Sequence, residues 1–268
     1  MALLERTTAP VGEHHAQQFA RDGVLVVDDL ISRDETARLR ELVEPLYDGT
    51  VDTGQQRMDL GDFEDEAPAV ERITQIMQVH DFVPEVLEGR YAVLALAAAR
   101  TILGEDMELD MTMLMDKLPG AATPTPWHQD QAYWLPDIPD RRSLSVWLAL
   151  ENVTVESGCM AFVPGSHTEP TRPHTWAGSN GQALTTEVAA GEGVAVPLPE
   201  GGATFHHGNM LHSAGGNTTD GRRRALVLNY RSAAMIAWER ERGYDHRSEN
   251  ARNEGEPLTR ALHPGNKR

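Results

Sequence analysis

After Gly104 the chain breaks into short apolar runs, each closed by Gly, Pro, Asn or Asp: Met107–Asp116, Trp127–Trp134, Leu144–Leu150, Cys159–Val163, Gly193–Leu198, Ala203–His206 and Arg224–Ser232. This punctuation constrains the fold more than any other feature. Runs this short do not supply the apolar stripe of a packed helix. Short strands at regular spacing with turn signals between them close into a β-sandwich or barrel. The run from Met107 alternates in places, as a half-buried strand does. The turns draw on 23 Gly and 16 Pro.

The first hundred residues read differently. Residues 12–22 predict a short helix, and Gly23-Val-Leu-Val-Val-Asp28 a buried strand. Ser32–Tyr47 predicts a helix with Ser32 as N-cap and Glu35 completing a capping box. Leu39, Leu42, Val43 and Leu46 then share one face. Residues 48–70 are polar and acidic and read as a long loop, the kind that serves as a lid or a binding loop; residues 168–190 are a second lid candidate. Val70–Val83 and Pro84–Leu103 read as two more helices, and residues 240–268 as a polar surface tail. No repeat, low-complexity tract or linker divides the chain. A single domain over 1–268 is expected, with a helical part at about 12–104 packed on a β core at about 105–232.

Charge narrows the function. Asp plus Glu is 41 and Lys plus Arg is 24, a formal net charge of −17. Such a surface repels nucleic acid phosphates and anionic lipids, so no nucleic acid or membrane partner is expected and a small-molecule substrate is. The longest apolar stretch, Tyr91–Leu103, contains Arg100 and is too short to span a bilayer. The N-terminal residues lack a basic stretch followed by an apolar one, so a cytoplasmic protein is expected. Cys159 is the one cysteine, which excludes an intramolecular disulfide and a Cys₂His₂ zinc site.

The chemistry concentrates in Pro126-Trp-His-Gln-Asp-Gln-Ala-Tyr-Trp134. Read as a strand, it turns His128 and Asp130 to one face and Gln129 to the other. An imidazole beside a carboxylate offers two adjacent positions to a divalent metal. A third ligand from a neighbouring strand completes the 2-His-1-carboxylate face of non-heme Fe(II) oxygenases. His206, His207 and His212 compete for that place. A second His-x-acid pair, His167-Thr-Glu169, lies in a turn and reads as surface loop. After His212 comes a Gly- and Asn-rich turn, then Arg222, Arg223 and Arg224 at the head of the next strand. A hairpin there brings one of these arginines near the metal; Arg231 is a more distant rival.

Trp127-His-Gln-Asp130, the Pro164-Gly-Ser-His167 turn, and His212 with Asn217 and Arg223-Arg-Ala225 resemble the phytanoyl-CoA dioxygenase family, over about Gly23–Ser232. The resemblance implies a mainly β fold, a double-stranded β-helix (jelly roll) core with N-terminal helices packed on it. It implies an Fe(II)- and 2-oxoglutarate-dependent dioxygenase, with O₂ as co-substrate, that hydroxylates a C–H bond. By position, His128, Asp130 and His212 are the implied iron ligands. Arg223, eleven residues after His212, is implied to hold the distal carboxylate of 2-oxoglutarate, which a planar guanidinium fork suits. Thr125 and Trp147 match further 2-oxoglutarate positions, and Trp134 and Tyr133 match the substrate pocket.

His206 and His207 are read as structural, His207 being the nearer to the site. Asp130 stands where halogenating relatives carry a small residue, so halogenation is not implied. Ala214 stands where relatives often carry a serine that helps hold 2-oxoglutarate, so one hydrogen bond is either missing or supplied by Ser213. The expected reaction is a hydroxylation in bacterial secondary metabolism, with desaturation, ring formation or acyl-CoA hydroxylation as alternatives. A cupin-like protein that binds metal without catalysis, or binds zinc, is the alternative of another class.

Overall fold

Period-two alternation builds a layered core. The computed structural model describes residues 4–8, 10–61, 71–135, 137–177 and 183–245. The larger sheet has eight strands in the spatial order β1 (Arg6–Thr7), β2 (Val24–Val27), β12 (Ala203–His207), β7 (Ser143–Ala149), β14 (Arg223–Ser232), β5 (Met107–Lys117), β4 (Ile73–Met77) and β3 (Arg57–Asp59). The smaller has four, β11 (Val194–Val196), β8 (Met160–Phe162), β13 (His212–Ala214) and β6 (Thr125–His128). A ribbon of β9 (Thr175–Trp176) and β10 (Leu184–Thr185) stands apart. The helices are α1 (Glu13–Asp22), α2 (Arg33–Tyr47), α3 (Val79–Phe82), α4 (Arg90–Leu103) and α5 (Ala233–Arg240).

Every residue of β7 is buried, because both faces of the large sheet are covered. Leu144, Val146 and Leu148 join Leu226 and Leu228 of β14 against Leu39, Val43 and Leu46 of α2 and Ala95 and Ala99 of α4. The alternate residues Trp147, Ala149, Ala225 and Val227 face the small sheet and pack with Met160, Phe162 and Val196. This is the jelly-roll core with flanking helices that the resemblance implies. Among the described residues no helix is long and apolar enough to cross a membrane.

Several expectations meet their structural form. Ser32 caps α2: its Oγ accepts the Glu35 N–H, and the Glu35 carboxylate accepts the Ser32 N–H. Leu42, expected on the buried face, is 36% exposed, because the stripe that meets the sheet passes through Leu39, Val43 and Leu46. The helix expected over Val70–Val83 is instead β4 followed by the single turn of α3. The expected loop at 48–70 contains a 3₁₀ turn, Gly54–Gln56, and the edge strand β3; residues 62–70 lie outside the described residues. Residues 233–240 form a helix that the pattern of strands did not suggest, and the expected tail lies outside the described residues from 246 onward.

Candidate active site

Two strands of the small sheet bring the first ligand candidates together. β6 and β13 are antiparallel with His128 opposite His212. The strand expected over Trp127–Trp134 ends at His128, and Asp130 opens a 3₁₀ turn, Asp130–Tyr133. The shared face survives because Gln129 between them stays extended, at φ −124° and ψ 127°. Gln129 points the other way, where its amide meets Asn209 O, Asn209 Oδ1 and the Arg172 N–H.

His128, Asp130 and His212 each offer one ligand atom, and these atoms lie within 4.8 Å of one another. The Nε2 atoms of His128 and His212 stand 3.7 and 3.6 Å from Asp130 Oδ1. Their Nδ1 atoms stand 2.8 Å from Pro126 O and 2.9 Å from Met210 O. A carbonyl can only accept, so each Nδ1 carries a proton and each Nε2 is the atom turned to the centre. Burial, then the neighbouring His212, pull the His128 imidazole down to about 3, so it is neutral at working pH. Burial pushes the Asp130 carboxyl up, but His212, His128 and His206 together hold it below its ordinary value. His128 and Asp130 are thus in the protonation states a divalent metal needs.

The large sheet supplies the other wall. Ser145 Oγ donates to Asp130 Oδ2 at 3.2 Å, and Asn229 Nδ2 donates to Ser145 Oγ at 2.9 Å. The single hydroxyl proton goes to the carboxylate, so the Asn229 amide must present its NH₂ to Ser145. Arg223 begins β14, opposite Lys117 of β5. It is 2% exposed, lines the cavity, and its Nε and Nη2 have no hydrogen-bond partner. Burial lowers its guanidinium to about 10, against the pull of Asp116. Its neighbours face the other way: Arg222 pairs with Asp116, and Arg224 with Glu151 and Glu44. Arg231 is held by Asp110 and Glu239. Strand parity separates Arg223 from Arg222 and Arg224; Arg231 shares its parity but is taken up by Asp110 and Glu239.

The cavity has a volume of about 270 Å³ and is lined by all eight of the residues singled out in the sequence: His128, Asp130, His212, Arg223, Thr125, Trp147, Trp134 and Tyr133. Thr125 pairs with Ala214 across β6 and β13, and its Oγ1 is buried without a partner. The Arg223 guanidinium lies 5.5 Å from the Trp147 ring centre. Ser213 and Ala214 both line the cavity. Trp134 packs over Gly208, where a Cβ would come within 2.5 Å of the ring. His167 does not line the cavity; its ring is tilted against those of His207 and Phe19, at centroid distances of 5.4 and 6.3 Å.

Some lining residues escape sequence reasoning. His206, read as the more remote of its pair, is the nearer: its Nε2 is 3.9 Å from Asp130 Oδ2 and its ring 4.9 Å from that of His212. The signal was alternation in β12, where Phe205 joins the helix-covered core and so turns His206 inward and His207 out. Ser145, Asn229 and six methionines (58, 77, 111, 113, 115 and 160) also line the cavity. From the two lid candidates, Met58, Leu60, Trp176 and Ala183 reach it, while 178–182 lie outside the described residues.

Comparison with known proteins places this geometry. The family model for phytanoyl-CoA dioxygenase (PhyH) matches residues 19–225. The chain is similar to peroxisomal phytanoyl-CoA dioxygenase of Rattus norvegicus, 26% identical over 228 residues, which cover 80% of this chain and 67% of that enzyme. Among solved structures it is similar to EvdO2 from Micromonospora carbonacea var. aurantiaca complexed with 2-oxoglutarate. That match has a TM-score of 0.70 and 30% identity, covering 87% of this chain and 94% of the other. It is also similar to the epimerase SnoN in complex with Fe³⁺, alpha ketoglutarate and nogalamycin RO, with a TM-score of 0.63 and 27% identity over 82% of this chain and 83% of SnoN. The chain belongs to the phytanoyl-CoA dioxygenase family of 2-oxoglutarate-dependent dioxygenases.

Proposed function

We propose that this enzyme hydroxylates an unactivated C–H bond of a small molecule in bacterial secondary metabolism, using Fe(II) held by His128, Asp130 and His212, with 2-oxoglutarate and O₂ as co-substrates. One observation carries the reading: a two-imidazole, one-carboxylate group shares a cavity with a buried arginine whose Nε and Nη2 are unpartnered. The donor set fits iron, since two neutral imidazoles and one carboxylate on one face suit non-heme Fe(II) and leave the opposite positions open. The arginine fits the far end of a dicarboxylate. A cupin-like metal binder or a hydrolytic zinc site has no use for it.

Iron, when bound, supplies the activation of oxygen that is coupled to conversion of 2-oxoglutarate into succinate and CO₂. The protein's part is position. Arg223 takes the distal carboxylate in a planar two-bond contact, backed by the Trp147 face, and Thr125 Oγ1 is a hydroxyl donor on the same side. Ser145 and Asn229 fix the rotamer of Asp130, so one carboxylate oxygen stays turned to the histidines. Trp134 and Tyr133 form the wall against which the substrate lies, and the apolar lining keeps water from the reacting carbon. The similar epimerase SnoN and carbocyclase SnoK, both from nogalamycin biosynthesis, support a role in tailoring a metabolite, and the two differ in reaction.

Mass analysis of the product separates the outcomes. Hydroxylation predicts succinate release matched by a product heavier by one oxygen atom. A product two hydrogens lighter would replace it with desaturation or ring closure, and an unchanged mass with an inverted centre would replace it with epimerisation.

A further inference from the structure

The cavity has two unlike halves. The half around Arg223 and Trp147 packs with Met160 and Val227. The other half is walled by Met77, Met111 and Trp134, with Tyr133, Trp176 and Tyr244. Among the described residues of this second wall none is an acid or base that is charged at neutral pH. The two tyrosine hydroxyls are engaged with the main chain: Tyr244 donates to Tyr133 O at 2.7 Å, and Tyr133 Oη accepts the Leu184 N–H at 2.8 Å. What they present to the cavity is ring.

Charge lies just behind this wall, but it is matched. Arg231 and Arg240 both pair with Asp110, and Arg231 also pairs with Glu239. Two buried acids thus meet two bases. Glu239 also accepts the Leu135 N–H, and the Arg231 guanidinium lies 4.9 Å from the Trp134 ring centre. Among the described residues, the ring and the paired charges leave no counter-charge facing an ion that enters this half of the cavity.

The methionine floor follows from one irregularity. The pairing of β14 with β5 steps from Asn229–Met111 to Tyr230–Leu109, so Asp110 is the extra residue of a β-bulge. The bulge reverses parity. Met107 and Leu109 face the helices, and Met111, Met113 and Met115 all face the cavity. Unbranched thioethers adapt to irregular apolar shapes. Arg231, α5 and Tyr244 lie beyond residue 225, where the family match ends.

We infer that the part of the substrate entering this half is an uncharged, largely apolar ring or branched skeleton, and that a substrate bearing an ammonium, carboxylate or phosphate near its reacting carbon is excluded. The inference rests on the oxygenase reading, since it takes this cavity as the place of reaction. Burying an ion here without a partner costs more than the apolar contacts return.

Three probes of one shape test it: 1-adamantanol, 1-adamantylammonium and 1-adamantanecarboxylate. Each is titrated into the metal-free protein and into protein loaded anaerobically with Fe(II) and 2-oxoglutarate, following tryptophan fluorescence. Trp134, Trp147 and Trp176 all line the cavity and report binding. The neutral probe is expected to bind the loaded protein, in which Arg223 and Asp130 are engaged, at least about tenfold more tightly than either ion. Equal binding by either ion to the loaded protein, or no binding by the alcohol, overturns the inference. Tyr244→Ala is expected to weaken the alcohol about fivefold and Tyr244→Phe, which keeps the ring, less than about twofold. Equal losses in the two variants would take Tyr244 out of the wall. The Fe(II)–2-oxoglutarate absorption band in the same samples reads the oxygenase assignment separately. A band without the neutral preference overturns this inference alone, and the preference without a band supports the pocket's selectivity while overturning the oxygenase reading.

Discussion

Arg223 shows how one residue acquires a role from parity. Three consecutive arginines have the same chemistry, and only the middle one faces the cavity. Arg222 and Arg224 carry carboxylate partners on the opposite face. Arg223→Ala is expected to raise the dissociation constant for 2-oxoglutarate about a hundredfold while Fe(II) binding is retained, because a buried charge pair is lost. Arg222→Ala is expected to leave that constant within about twofold. Its cost falls on stability instead, about 3 kcal/mol, since Asp116 is left buried and unpaired. Isothermal titration and thermal melting of both variants check the pair; similar 2-oxoglutarate losses in the two would contradict the parity argument. These residues were legible because their chemistry and spacing are local. Ser145 and Asn229 were not, since their place beside Asp130 depends on the register of β7 and β14, strands far apart in the chain.

At the level of elements, the sequence misleads where apolar spacing is ambiguous. Ile73, Ile76 and Met77 stand at helical intervals, yet they belong to β4. The strand is covered on both faces, so it lacks the alternation that marks a half-buried strand. The turn from β13 to β14 is the opposite case, because its residues announce a turn and the structure shows what secures it. Lys117 Nζ donates to Thr123 O at 3.2 Å, Ala214 O at 3.2 Å and Gly215 O at 2.5 Å. Asn217 Nδ2 donates to Lys117 O, Leu118 O and Gly221 O. Both side chains are fully buried, and together they tie the end of β5 to the segments that carry Thr125, His212 and Arg223. Lys117→Met leaves three carbonyls without that donor and is expected to cost about 2 kcal/mol or more. Its melting temperature is expected to fall by several degrees, with weaker 2-oxoglutarate binding; an unchanged melting point would show that the clamp is not structural.

For the whole molecule, the layered architecture follows from turn punctuation after Gly104 and helical patterning before it. That contrast is a property of the entire chain and was readable without coordinates. The closing wall of the cavity was not. It is built by a bulge at Asp110 and a helix after β14, and neither leaves a periodic trace. The convergence of the two sheets on a metal group and a dicarboxylate seat in one cavity is open to a direct test. Anaerobic addition of Fe(II) and then 2-oxoglutarate to metal-free protein, followed by visible absorption, tests it most directly. A charge-transfer band that requires both additions and is absent in Asp130→Ala is expected. Well-folded protein that gives no band, or a band that persists in Asp130→Ala, would contradict it.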